Sequence, residues 1–319
     1  MKPIAASFFL LFFLLTLSAR AADTAMEKLT AGRIDEAINE LNGRLSSSPS
    51  DAESANLLCR AYFALEDWNR AESACKKAIV LDPRNSQYHL WLGRAYGEKA
   101  NHANFFSAAS LAGKTRDEFQ RAVELDPANT DARVDLAEFY VEAPGIMGGG
   151  QDKARAQAKL IGAADPAREH WVYARIAEKN RDLAGAEREY EQMISLSHGD
   201  SDAWLNLAIY FRHEKRFDDM EQAVVKASQA PMSKHDVLVD LAHALYRSGR
   251  NFPFAILLLK RYLVTGPVEQ APAFKAHYLL GMLLEKQGDK AGAAQEYRTS
   301  LSLARQYGLA QEALNRVAR

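Results

Sequence analysis

The chain is 319 residues long, 48% hydrophobic and 25% charged, with 40 basic side chains against 41 acidic ones. A net charge so near zero shows no electrostatic footprint for nucleic acid or an anionic membrane, and neither is expected as a partner. The length leaves room for about two ordinary domains, and the weight of Ala, Leu, Glu, Arg and Lys over β-branched residues points to helices throughout.

The first element is a leader. Met1-Lys2 gives a short positive start, Ile4 to Leu17 is almost purely apolar, and Ser18-Ala19-Arg20-Ala21 places small residues where a signal peptidase reads them. The apolar run of roughly 14 residues falls short of the ~20 that span a bilayer. Residues 1–21 therefore read as a secretory signal cut between Ala21 and Ala22, with an uncleaved anchor as the alternative. No Cys follows the apolar run, so lipid attachment there is excluded. A brief single-Lys start and the absence of disulfide-rich modules favour a bacterial periplasm over a eukaryotic secretory route.

Beyond the leader the dominant signal is a repeat. Pro49, Pro83, Pro127 and Pro166 punctuate the first half, the last three each following Asp. The first gap matches the ~34-residue period of a helix–turn–helix unit, and the next two are longer by about ten and about five residues. One unit carries Leu58, Cys59, Tyr62, Ala71, Cys75, Ala78 and Pro83; the next carries Leu92, Gly93, Tyr96, Phe119, Ala122 and Pro127. Leu136, Ala137, Tyr140, Ala154, Ala158 and Ile161 make a third, Tyr173, Ala174, Ala186 and Tyr190 a fourth, and Trp204, Leu207, Ala208 and Ala227 a fifth. Leu241, Ala242 and Gly249 follow, then Tyr278, Leu280, Gly281, Gly288, Ala293 and Tyr297. The small residues let paired helices approach closely, and Gly249 and Gly288 suit the tight turn inside a hairpin. One hairpin cannot bury its apolar face alone, so the units must stack.

These residues resemble the signature of the tetratricopeptide-repeat family. The resemblance covers nearly all of the chain after the leader, and it extends to a group of exported bacterial proteins built from such repeats. It implies an all-α, right-handed superhelical solenoid of antiparallel helix hairpins around a long curved trough open to solvent. Residues 22–51 read as a truncated capping repeat, 52–304 as about seven hairpins, and 305–319 as a capping helix.

Two insertions interrupt the hairpin turns, at 101–114 and at 144–150. Turns within successive hairpins share one edge of a solenoid, so the inserts are expected to form a ridge carrying Phe105, Phe106, Leu111, Ile146 and Met147. The alternative is that the Phe pair tucks beneath its own loop. Cys59 and Cys75 face each other across one hairpin with an axial offset of about 5 Å. That permits a disulfide without favouring it over two buried thiols.

The family resemblance implies that inner helices line a groove for a protein or an extended peptide. The positions carried over are Asn56, Arg60, Leu90, Arg94, Val134, Glu138, Trp171, Arg175, Leu205, Arg212, Tyr246 and Tyr278. They lack the Lys and Asn arrangement by which related modules clamp a terminal carboxylate. No cofactor, metal or catalytic residue is expected. The glycines of 145–150 are not followed by the Lys-Ser/Thr of a nucleotide loop, and the eight histidines occur singly, without zinc spacing. His89, His170 and His277 share the fourth position of a first helix and read as packing residues. The leading functional expectation is a non-catalytic binding scaffold. A structural subunit of an envelope assembly comes second, and an enzyme on a helical scaffold third.

Overall fold

The computed structural model describes residues 25–318; the leader and the Ala21–Ala22 junction lie outside them. The described chain is an all-α, right-handed superhelical solenoid of antiparallel hairpins, as the repeat requires. A short helical stretch at 25–30 pairs with α1 (Ile34–Ser47). The following hairpins are α2 (Ala52–Ala64) with α3 (Trp68–Leu81), α4 (Ser86–Asn101) with α5 (Phe105–Leu125), and α6 (Thr130–Glu142) with α7 (Gln151–Gly162). After them come α8 (Pro166–Lys179) with α9 (Leu183–Leu196), α10 (Ser201–His213) with α11 (Phe217–Gln229), α12 (Val237–Ser248) with α13 (Phe252–Thr265), and α14 (Ala273–Lys286) with α15 (Lys290–Leu303). A last helix, α16, spans Gly308–Val317.

Helix starts are written locally. Asp51, Asp67, Asn129, Asp165, Asp182 and Asp289 each accept the amide N–H three residues on, at 2.8–3.0 Å, which satisfies a donor with no partner inside the helix. The turns inside hairpins pass through the left-handed region, at Gly249 (φ 69°) and Gly288 (φ 87°) as expected, but also at Glu66, Arg181 and Lys215. Pro166 does not end a helix; it opens α8 at the first turn, where its missing N–H costs nothing.

Close approach of paired helices accounts for two glycines. A Cβ built on Gly93 would lie 2.5 Å from the Phe119 ring, and one on Gly281 would lie 2.5 Å from the Tyr297 ring. In these two hairpins a ring of the second helix therefore packs directly against the bare glycine backbone of the first.

The inserts differ from expectation in form. Residues 105–114 are the opening turns of a 21-residue helix, α5, and not a loop. Phe105 and Phe106 project into solvent, 71% and 85% exposed, whereas Leu111 packs inward against the cluster of Cys59, Cys75 and Tyr96. The second insert is a short 3-10 turn at Gly145–Met147, with Ile146 95% exposed and Met147 half-buried. Gly148 (φ 95°) abuts Arg116, eleven residues and hence about 16 Å along α5 from Phe105. The second insert thus meets α5 beyond the first insert, and Leu111 turns inward, so Phe105, Phe106, Leu111, Ile146 and Met147 do not form one continuous ridge.

Cys59 and Cys75 are joined as a disulfide with their Cα atoms 5.1 Å apart. The helices cross closely enough at Ala71 and Cys75, both fully buried, to absorb the axial offset.

The trough is not open. One continuous apolar cluster joins Leu29, Ile34, Leu41, Leu57 and Leu58 from the start of the stack to Phe274, Ala304, Tyr307 and Ala310 from its end. Gly32 (φ 71°) lies so close to Ala273 that an added Cβ would sit 2.6 Å from its backbone N. Charged side chains fasten the seam: Arg60 to Glu269 (Nε–Oε1 2.6 Å), Lys275 to Glu66 (2.9 Å) and Arg305 to Asp35 (3.1 Å). Glu269 is carried on the 266–272 turn, pinned by Tyr262, whose hydroxyl donates to the Ala271 carbonyl and accepts from the Val268 N–H. The C-terminal helix packs on the last hairpin through Ala313 and Val317 and adds Ala310 to the seam. The solenoid closes into a ring.

Two substitutions probe this packing. Gly281→Val should cost about 1–3 kcal/mol by forcing a side chain against Tyr297, read as a lowered melting temperature. Gly32→Val should part the ends and raise the radius of gyration in small-angle X-ray scattering. An unchanged radius would mean that the ends do not meet through this contact.

Candidate functional site

The closed ring surrounds a cavity of about 650 Å³. Its wall is built from matching stripes on successive inner helices: Arg60 and Phe63 on α2, Trp91, Arg94 and Glu98 on α4, Asp135, Glu138 and Glu142 on α6. The i, i+3, i+7 spacing places each stripe on one face. Glu269 and Lys275 complete the wall from the far end of the chain.

Two guanidinium groups lie over the Trp91 ring, Arg60 at 5.2 Å and Arg94 at 5.0 Å, with Phe63 edge-on at 5.4 Å. Neither arginine is free for an anion, because Arg60 donates to Glu269 and Arg94 to Asp135 at 2.6 Å. Arg175 is likewise engaged, by Glu142 at 2.8 Å and Glu178 at 3.0 Å. Glu98 and Glu138 make no hydrogen bond or ion pair among the described residues. Glu138 reaches solvent in the cavity but has protein on most sides. That enclosure, set against the attraction of Arg175 and joined by the repulsion of Asp135 and Glu142, holds its carboxyl above the usual range. The wall is aromatic and acidic, a setting for a cation.

Several groove positions lie elsewhere. Asn56, Leu90 and Leu205 are buried, Leu90 against Phe119 and Leu136, and Leu205 in the cluster of Leu238 and Leu241. They sit about a turn earlier on the inner helix than Arg60 and Arg94, where neighbouring hairpins converge. Val134 packs at the rim of the Leu136 cluster. Trp171 is half-buried and donates its indole N–H to Asn206 at 2.9 Å. Tyr278 packs on Tyr297 (5.9 Å) and Tyr307 (5.4 Å) and belongs to the seam. Arg60, Arg94 and Glu138 do line the cavity, while Arg212 and Tyr246 lie further along the inner surface, on α10 and α12. Trp91, Glu98 and Glu142 were legible from the same helical stripe, one residue out of register with Leu90. Glu269 and Lys275 carried no local signal.

The three fourth-position histidines form one recurring pair. His89, His170 and His277 each place Nδ1 at 2.6 Å from a glutamate on the partner helix, Glu118, Glu189 and Glu296 respectively. Burial opposes a charge on His89, yet Glu118 and the Pro83 carbonyl hold its pKa above the ordinary value. These pairs tie the two helices of a hairpin together. Among the described residues no group of three or more His, Cys, Asp or Glu is placed to hold a metal.

On α12, burial first, then Asp236 and Asp202, push the Asp240 carboxyl up to about 7. A carboxyl whose folded pKa exceeds its unfolded value stabilises the fold at low pH and loses that contribution as pH rises through the folded value. Asp240→Asn should therefore raise the melting temperature more at pH 8 than at pH 5. An equal gain at both would contradict the shift.

Residues 28–96 and 239–307 each match a tetratricopeptide-repeat family model. Among solved structures, yeast Tom70 is 15% identical over 93% of this chain and 63% of its own, with a TM-score of 0.55. A thermophilic tetratricopeptide-repeat protein of Thermus thermophilus is 18% identical over 64% of this chain and 98% of its own, at 0.49. A tetratricopeptide-repeat protein from Parabacteroides merdae is 12% identical over 94% and 100%, at 0.43. No curated protein sequence matches the chain. The two matched segments and the stacked hairpins between them support the tetratricopeptide-repeat family for this chain.

Proposed function

We propose that the protein is a non-catalytic scaffold that binds an extended polypeptide inside its ring, taking a lysine or arginine side chain of that partner between Glu98 and Glu138. The observation that carries this reading is the pair of unpartnered carboxylates beside the Trp91 and Phe139 rings in the cavity. A cation there gains two charge-assisted contacts and an aromatic face. The cavity wall exposes the Phe63, Trp91 and Phe139 rings as well as charge, so apolar contact supplies area while Glu98 and Glu138 select the sign of the partner's side chain. Ring closure narrows the partner to a slender segment, since the space between the walls does not suit a folded domain.

Export to a bacterial periplasm belongs to the same proposal. Its supports are the three-part leader at 1–21 and the Cys59–Cys75 disulfide, a bond that persists in oxidising compartments. A second reading, an envelope assembly held through the outer edge, is favoured by Phe105, Phe106 and Ile146 standing in solvent.

The test is fluorescence of the full chain titrated with extended peptides that differ only in one central residue. Lysine and arginine peptides should bind more tightly than glutamate ones, and Glu98→Gln with Glu138→Gln should weaken them about tenfold, the equivalent of ~1.4 kcal/mol. Indifference to the sign of the central residue would remove the cavity from the account. Binding lost instead on Phe105→Ser with Phe106→Ser would move it to the outer edge.

A further inference from the structure

The inner surface holds a second electrostatic feature of opposite sign. Between α10 and α12 lies a depression of about 250 Å³ lined by Ile209, Arg212, Asp240, His243, Ala244 and Arg247. Asp240, His243, Ala244 and Arg247 follow one another at i, i+3, i+4 and i+7, so α12 offers a single face. Every arginine of the preceding inner helices that borders the ring interior has a carboxylate: Arg60 has Glu269, Arg94 has Asp135, Arg175 has Glu142 and Glu178. Arg212 and Arg247 break that pattern. Among the described residues Arg247 makes no hydrogen bond or ion pair, and Arg212 reaches only the His213 ring, through Nη2 at 3.0 Å. The Nε–H of Arg212 is buried with no partner at all.

A buried donor left unpaired is unusual in a folded protein and calls for an explanation. Both guanidinium groups border one depression, and neither has an ion-pair partner among the described residues. Burial and then Arg247 lower the Arg212 pKa, and burial, Arg247 and Arg212 lower that of His243. His243 is braced by stacking on Tyr246, with ring centroids 6.4 Å apart and planes 22° off parallel. Asp240 lies in the same depression but hydrogen-bonds to neither arginine. The missing element is a planar anion that can accept from both forks, and a carboxylate fits two guanidinium groups bidentately.

We propose that Arg212 and Arg247, flanked by His243, form an anion site that takes the side-chain carboxylate of an aspartate or glutamate in a bound polypeptide. The site deepens the scaffold reading by giving the partner a second fixed point: a basic residue at Glu98 and Glu138 and an acidic one at Arg212 and Arg247. It nevertheless stands on its own observations, so a failure of the basic site leaves it intact.

The test follows the Arg212 Nε–H directly. In the full chain its 15N–1H resonance, assigned by its loss in Arg212→Lys, is monitored while three probes are added separately: N-acetylglutamate amide, N-acetylglycine and inorganic phosphate. The glutamate probe should shift the resonance saturably, and Arg247→Gln, checked for an unchanged melting temperature, should weaken that binding at least tenfold. A tighter response to N-acetylglycine would replace the side-chain carboxylate with a terminal one and overturn the assignment. So would a response to phosphate alone, or no saturable shift with any probe.

Discussion

A helical hairpin with apolar side chains on both flanks can satisfy one of them with its predecessor and the other with its successor, so a stack of hairpins always has two faces left over. Repeat proteins commonly cover these faces with polar caps. In this chain they cover each other. Leu29, Ile34 and Leu57 at one end share a cluster with Phe274 and Tyr307 at the other, and the Phe274 and Tyr307 rings meet edge-on at 5.0 Å. Non-directional apolar burial drives that contact, while the bare backbone of Gly32 sets its distance and the Arg60–Glu269 pair its register. What would be a trough along a spiral becomes a bounded cavity because of this one junction.

Closure also decides which charges remain for recognition. Had the ends stayed apart, Arg60 would face the interior without Glu269, and the wall around Trp91 would attract anions. With the seam made, both guanidinium groups beside Trp91 are matched, and the carboxylates of Glu98 and Glu138 are what is left. Further along the inner surface the balance is reversed, with Arg212 and Arg247 lacking the carboxylates that their counterparts have. Each of these groups leaves a ligand a charge to pair with, and the buried Arg212 Nε–H gains most, since pairing it relieves a desolvation cost already incurred. The interior is thus divided into a part suited to a cation and a part suited to an anion.

Much of the architecture was legible because it is local. The recurring Asp or Asn before most helices, the small residues at Gly93 and Gly281, and the large rings at Tyr190 and Tyr297 all act within one hairpin or between neighbours. The limits were of two kinds. Leu90 and Asn56 were placed in the groove and Trp91 was not, because a helical stripe one residue out of register turns by about 100°, enough to exchange core for wall. An insertion between two repeat helices reads as a loop, yet residues 105–114 extend α5 at its start. Glu269 belongs to the second kind. It meets Arg60 across 209 positions of sequence, and no periodicity within a repeat reports whether a spiral of repeats will return to its beginning.

The disulfide takes its meaning from the same seam. Hairpins near the ends of a stack open most readily, having the fewest neighbours to hold them. The α2–α3 hairpin stands near such an end and carries Arg60, the side chain that fastens the ring, directly beside Cys59. A cross-link between residues 16 apart removes unfolded-state entropy equivalent to about 3 kcal/mol in the chain-entropy account. In α2 and α3 it keeps the helix bearing Arg60 in place while the apolar seam forms, so that local covalent constraint and distant non-covalent closure act on the same element.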